Sequence, residues 1–140
     1  QDILVKKGSR DAFTGNVIGK FSGTVIKGKR EGRWSHWHQN GQISFKGRFK
    51  NGKREGIWNE WYDNGQLLSR GTYIKGRQHG LWEEWYDSGQ LWFIGQYQHG
   101  VSVGSYEEFY DNGQLFRRGK YQNNQEVGKW EHYDEYGKVI

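Results

Sequence analysis

Residues 58–73 read WNEWYDNGQLLSRGTY, and the chain says this again and again. WEEWYDSGQLWFIGQY follows at 82–97 and YEEFYDNGQLFRRGKY at 106–121, while a thinner version, WSHWHQNGQISFKGRF, precedes them at 34–49. The interval is 24 residues each time. Glycine columns keep the same frame: Gly32, Gly56, Gly80, Gly104 and Gly128, then Gly41, Gly65, Gly89, Gly113 and Gly137, then Gly47, Gly71, Gly95 and Gly119. A fixed period of this length marks a repeat array, in which each unit buries its apolar face only against its neighbours. The frame divides a single domain into a degenerate capping unit at 8–31, full repeats at 32–55, 56–79, 80–103 and 104–127, and a partial unit at 128–140.

Each unit reads as a β-hairpin. Asn-Gly between aromatic, β-favouring runs is the strongest short hairpin signal, and a type I′ turn with positive φ at both central residues is the expected geometry. With Asn64-Gly65 as a two-residue loop, Asp63 faces Gln66, Tyr62 faces Leu67, Trp61 faces Leu68 and Trp58 faces Gly71. The last pairing gives the third glycine column a purpose. Trp34, Trp58, Trp82 and Tyr106 stand opposite Gly47, Gly71, Gly95 and Gly119, so a large ring can lie over bare backbone. Trp58, Gly71, Trp82, Gly95, Tyr106 and Gly119 are therefore the structural residues of the repeat.

Alternation assigns the faces. Trp58, Tyr62, Leu67, Gly71 and Tyr73 share one face, as do Trp82, Tyr86, Leu91, Gly95 and Tyr97. The other is expected to pair Trp61 with Leu68, Trp85 with Trp92, and Phe109 with Phe116. A sheet one layer thick cannot hide so many rings, and exposed Trp bordered by charge is what protein interfaces select. Trp37, Trp61, Trp85, Trp92, Phe109 and Phe116 are the candidate partner-binding residues.

Composition agrees with this economy. Aromatics make up 17% of the chain and all hydrophobics only 33%, so rings must supply most of the buried area. Gly is abundant at 22 residues and Pro is absent, which suits turns and close backbone approach in a sheet. Without Cys there is no disulfide framework and no thiol chemistry. No apolar run is long enough to span a membrane as a helix, which leaves peripheral membrane contact open. The chain starts at Gln1 and has no Met, and the reading favours an exported mature end over a trimmed tag. Residues 1–70 hold 14 Lys and Arg against 6 Asp and Glu, whereas residues 71–140 hold 7 against 10. This is a charge dipole along the array, able to bias the approach of a partner.

The units resemble the MORN-repeat family, in the bacterial variant built on G-x-W-x-x-W/Y-Y-x-N-G-Q-L-x-x-x-G-x-Y-x-x-G and often labelled a YwqK-type antitoxin. The resemblance covers about residues 8–140 and includes the lead-in DAFTGNV. It implies an all-β fold, an elongated single-layer antiparallel meander of 24-residue hairpins. For function it implies a scaffold, a dimerisation module or a membrane-proximal adaptor. The eukaryotic MORN pattern is centred on Y-x-G-x-W and lacks the NGQL turn, so lipid binding transfers poorly from those relatives.

Several chemistries find no footing in these residues. Glu60, Glu84 and Glu108 form one column with Glu83 and Glu107 beside two of them, but a periodic carboxylate ladder reads as solvated strand positions offset by Lys and Arg, not as an acid–base site. His36 and His38 alternate on one strand with no Cys or carboxylate to complete a metal site. The basic turns KGKREG and KNGKREG sit beside aromatics, yet the acidic second half would repel a phosphate backbone. No phosphate-cradling glycine loop is present, and no cofactor is expected. The reading is a non-enzymatic scaffold that binds a protein through its sheet face or edges, in an envelope or surface assembly. Its rivals are an antitoxin that neutralises a toxin by direct binding, and a module for carbohydrate or anionic lipid.

Overall fold

The computed structural model describes residues 13–140, so the first part of the capping unit, including Asp11 and Ala12 of the lead-in, lies outside the described residues. The described chain is all strand and turn, with eleven strands hydrogen-bonded in sequence order into one open sheet. These are β1 (Gly15–Val17), β2 (Phe21–Ile26), β3 (Lys29–Trp37), β4 (Ile43–Lys50), β5 (Lys53–Trp61), β6 (Leu67–Ile74), β7 (Arg77–Trp85), β8 (Leu91–Gln98), β9 (Val101–Phe109), β10 (Leu115–Gln122) and β11 (Gln125–His132). Every neighbouring pair is antiparallel, as a meander of hairpins requires.

The two edges of the sheet use different turns, and the type I′ turn is on the edge opposite the expected one. Asn51-Gly52 between β4 and β5 has φ of 51° and 76°, and Lys75-Gly76 has 50° and 80°. Both central residues are left-handed there, as type I′ demands. At Asp63-Asn64-Gly65 only the glycine is left-handed, with φ of 85°. The amide of Tyr62 donates to the Gln66 carbonyl at 2.9 Å and that of Gly65 to the Tyr62 carbonyl at 3.1 Å. This is a three-residue loop, a type I turn closed by a left-handed glycine.

One extra residue in the loop has to be absorbed by the strands. The ladder slips between Glu60 and Trp61, so that Trp61 faces Leu67, Glu60 faces Ser69 and Leu68 has no direct partner. The same bulge recurs between Glu84 and Trp85. Beyond it the register is the expected one, with Trp58 facing Gly71 and Trp82 facing Gly95. The bulge corrects the side-chain directions near the turn. Leu67 and Leu91 belong to the face of Trp61 and Trp85, not to that of Trp58.

The ring above each glycine also comes from an unexpected place. A β-carbon on Gly71 would run into the Trp82 ring, one on Gly47 into Trp58 and one on Gly119 into Trp130, while one on Gly95 would crowd Tyr106. The aromatic of one hairpin thus covers the glycine of the hairpin before it, and the glycine column joins repeats. A second slip makes this possible. Between Arg48 and Lys46 on β4, strand β5 carries the additional residues around Gly56, whose φ is 74°. This left-handed kink, costly for any residue with a β-carbon, carries Trp58 across to Gly47. Trp34 and Trp58 are 1% exposed and Trp82 5%, and with Val25 and Phe49 they make up the buried apolar set.

Candidate interaction surface

The sheet has two unlike faces. On the ladder face, aromatic rings interlock edge to face along the array: Phe49–Trp58 at 5.0 Å, Tyr73–Trp82 at 5.4 Å, Trp82–Tyr97 at 6.2 Å and Tyr106–Tyr121 at 5.3 Å. Edge-to-face contact suits the ring quadrupoles. Arginines lie over them. The Arg54 guanidinium is 4.4 Å from the Trp58 ring centre and 5.3 Å from that of Tyr73, and it pairs with Glu60 at 3.0 Å. Arg117 covers Tyr106 and Trp130 and pairs with Glu108 at 2.7 Å and Glu126 at 2.9 Å. The glutamate column Glu60, Glu84 and Glu108 is therefore half-buried on this face and not simply solvated; Glu60 and Glu108 are paired with arginine, while Glu84 accepts from the Trp82 indole. Burial raises the Glu84 carboxyl above its usual range, opposed by the Trp82 indole and assisted by the charge of Glu60.

On the opposite face the bulges create a continuous stripe. Trp37 faces Ile43, Trp61 faces Leu67, Trp85 faces Leu91 and Phe109 faces Leu115. Each of these eight residues is half-buried. Tyr133, bridged to Val139, continues the column. Toward the other edge of the same face, Ile57 is 64% and Leu81 52% exposed. Charged pairs flank the stripe: Arg70 lies 5.4 Å from the Trp85 ring centre and binds Glu83 at 2.9 Å, and Arg118 binds Glu131.

Side chains from one repeat fix the stripe of the next. The Tyr62 hydroxyl donates to the Trp85 carbonyl at 2.8 Å, Tyr86 to that of Phe109 at 2.8 Å, and Tyr110 to that of Tyr133 at 3.0 Å. His38 takes the same place toward the Trp61 carbonyl, at 2.8 Å from Nε2. The Asn-Gly turns are tied as well. Asn40, Asn64 and Asn112 donate to the carbonyls of Asp63, Asp87 and Glu135 at 2.6, 2.8 and 2.9 Å. Ser88, in the asparagine column, reaches the Asp111 carboxylate instead. The repeated NGQ is thus a clasp between hairpins as much as a turn.

Four of the six candidate binding residues, Trp37, Trp61, Trp85 and Phe109, come together in the stripe. Trp92 and Phe116 do not. They are the bulge residues, and the bulge turns them to the ladder face. The Trp92 ring meets Tyr86 at 5.8 Å and Phe93 at 5.3 Å and its indole reaches Glu108, whereas Phe116 packs on Tyr110 at 5.1 Å. Trp85 with Trp92 and Phe109 with Phe116 are accordingly not cross-strand pairs. Trp92 is nevertheless 37% exposed. The aliphatic half of the stripe, Ile43, Leu67, Leu91 and Leu115, escaped the sequence reading because a uniform two-residue alternation places it on the wrong face. His36 stacks on Phe45 at 5.2 Å, and burial lowers its basicity, with His38 and Lys20 adding to the effect. Among the described residues, no three His, Cys, Asp or Glu side chains group as metal ligands do. No helix in them is long and apolar enough to cross a membrane.

No curated protein matches the sequence. Among solved structures, the crystal structure of TarM is similar over 67% of this chain and 20% of its own, at 14% identity and a TM-score of 0.39, too slight a likeness to carry an argument. The MORN repeat variant matches four consecutive segments, residues 30–51, 54–75, 78–99 and 102–123. These segments cover more than half of the sequence and begin 24 residues apart, in step with the hairpins; the chain belongs to the MORN repeat variant family.

Proposed function

We propose that this chain is a non-catalytic repeat module that binds a partner protein along the stripe formed by Trp37, Trp61, Trp85 and Phe109 with Ile43, Leu67, Leu91 and Leu115. The stripe carries the reading: rings and aliphatic side chains alternate across four hairpins, and the sheet has no second layer of described chain to cover them. Tyr hydroxyls grip the backbone behind the rings, so the surface is set before contact and little ordering entropy is left to lose. Tryptophan anchors bordered by charge are the usual composition of binding hot spots. The acidic turns at Asp63, Asp87 and Asp111 border the stripe and favour a partner with basic residues at that rim. Of the carboxylates that could have supplied acid–base chemistry, Glu60, Glu83 and Glu108 are held by Arg54, Arg70 and Arg117.

A photocrosslinking residue placed at Leu67 or Leu91 tests this in the native extract. It should capture one protein, while the same residue at Lys50, on the opposite edge, should not. Equal capture at all three positions would remove the stripe from consideration. The captured protein also separates the two roles compatible with the stripe, because a toxin and a component of a surface assembly differ in identity and not in the contact they make.

A further inference from the structure

An arginine lies over the rings of the ladder face in three of the four repeats, and in two of them it also pairs with the glutamate of the column. In the second full repeat, Arg54 lies over Trp58 and Tyr73, donates to the Tyr73 hydroxyl at 3.1 Å and pairs with Glu60. In the first, Arg30 lies 5.0 Å from Trp34 and 5.2 Å from Phe49. In the fourth, Arg117 serves Tyr106 and Glu108. The third repeat keeps the rings and the carboxylate, Trp82, Tyr97 and Glu84, but places Gln78 at the position of Arg54 and Phe93 at that of Arg117. Among the described residues, no Lys, Arg or His lies in ion-pair contact with Glu84.

The local geometry has adjusted to this. Trp34 and Trp58 donate their indole N–H to backbone carbonyls at 3.1 and 3.0 Å, whereas Trp82 donates to the Glu84 carboxylate at 3.0 Å. The Trp82 ring is also turned over. It covers Gly71 with its six-membered edge, while Trp34, Trp58 and Trp130 cover their glycines with the atoms of the ring fusion. An indole N–H is an incomplete substitute for a cation beside a half-buried carboxylate, because a neutral donor leaves the charge itself uncompensated. Beside this site, on the same face, stand the half-buried Phe93 and the exposed Trp92.

We propose that Glu84, with Trp82, Tyr97, Phe93 and Trp92 around it, is a seat for the guanidinium of an arginine carried by a partner protein, completing in trans the device that Arg54 completes within the chain. Arginine suits it better than lysine, because a planar guanidinium stacks on rings while forking to a carboxylate. The seat is on the face opposite the stripe and does not depend on it.

The test uses the whole chain with isotopically labelled indole nitrogens and an unstructured peptide of alternating glycine and arginine, beside the same peptide with neutral citrulline. The Trp82 indole N–H signal should move saturably with the arginine peptide and stay in place with citrulline, while the signals of Trp34 and Trp58 hold still. Glu84→Gln should abolish the movement. Gln78→Arg should abolish it as well, by filling the seat from within, and should raise the melting temperature, which separates occupancy from misfolding. No movement with arginine, equal movement with citrulline, or persistence in either variant would overturn the proposal.

Discussion

At the scale of single residues, the fold depends on what lies above each glycine. Gly71 has no room for a side chain because the Trp82 ring occupies the space. Gly71→Val should cost about 1–3 kcal/mol by overpacking, read as a melting point lower by several degrees. A melt within a degree of the parent would show that Trp82 moves aside freely. Glu84 gives a prediction in pH. Its folded-state pKa is raised by burial first, so its contribution to stability is complete below the unfolded value and is lost as pH rises through the folded one. Glu84→Gln removes that loss and keeps an acceptor for the indole. The melting temperature of the variant relative to the parent should therefore climb from about pH 4 to 7, and a flat or falling difference would contradict it.

At the scale of the hairpin, stability is shared between turn clasps and stacked rings. Three repeats use Asn in the clasp and the third uses Ser88, whose shorter side chain reaches a carboxylate and not the next turn's carbonyl. Ser88→Asn should stabilise the chain by about 0.5–1 kcal/mol, and a lower melting point would argue against the clasp. The hairpin is also where the structure departs furthest from a strict two-residue alternation. The pairing of Trp58 with Gly71 was legible although the turn was not. A three-residue loop in place of two, and a bulge at Leu68, shift the register by one residue in opposite senses and cancel before Trp58. The side chains between the two irregularities bear the error, which is why Leu67 and Trp92 were read onto the wrong faces. Bulges depend on how a strand twists against its neighbours, and a strict period of two contains no sign of them. Strand β5 carries no extra residue between Trp58 and Trp61, nor β7 between Trp82 and Trp85, so strict alternation holds there and sets the face of Trp61 and Trp85.

At the scale of the whole molecule, the chain is close to a one-dimensional stack, in which stability is a sum of unit and neighbour terms. Removing residues 56–79 joins Glu55 to Gly80 and restores the same Glu-Gly step that precedes β5's kink, so the shortened chain should keep its strand signal by circular dichroism. Removing only residues 56–67 joins mismatched half-hairpins and should not fold. Equal loss in both would deny that the 24-residue hairpin is the unit. The charge dipole runs along the same axis, with the basic excess in residues 1–70, and it orients any partner that lies lengthwise on the sheet. The central claim is that one face holds the array together and the other receives a protein. Partner capture and thermal melting of Trp85→Ala and Trp82→Ala, measured side by side, test it most directly. Trp85→Ala should weaken capture at least tenfold, about 1.4 kcal/mol or more, with a small change in melting, because it removes a stripe anchor. Trp82→Ala should lower the melting point markedly, by about 3–5 kcal/mol of lost packing, and leave capture by the folded fraction intact. If Trp82→Ala abolishes capture without loss of stability while Trp85→Ala unfolds the chain, the two faces have the opposite roles.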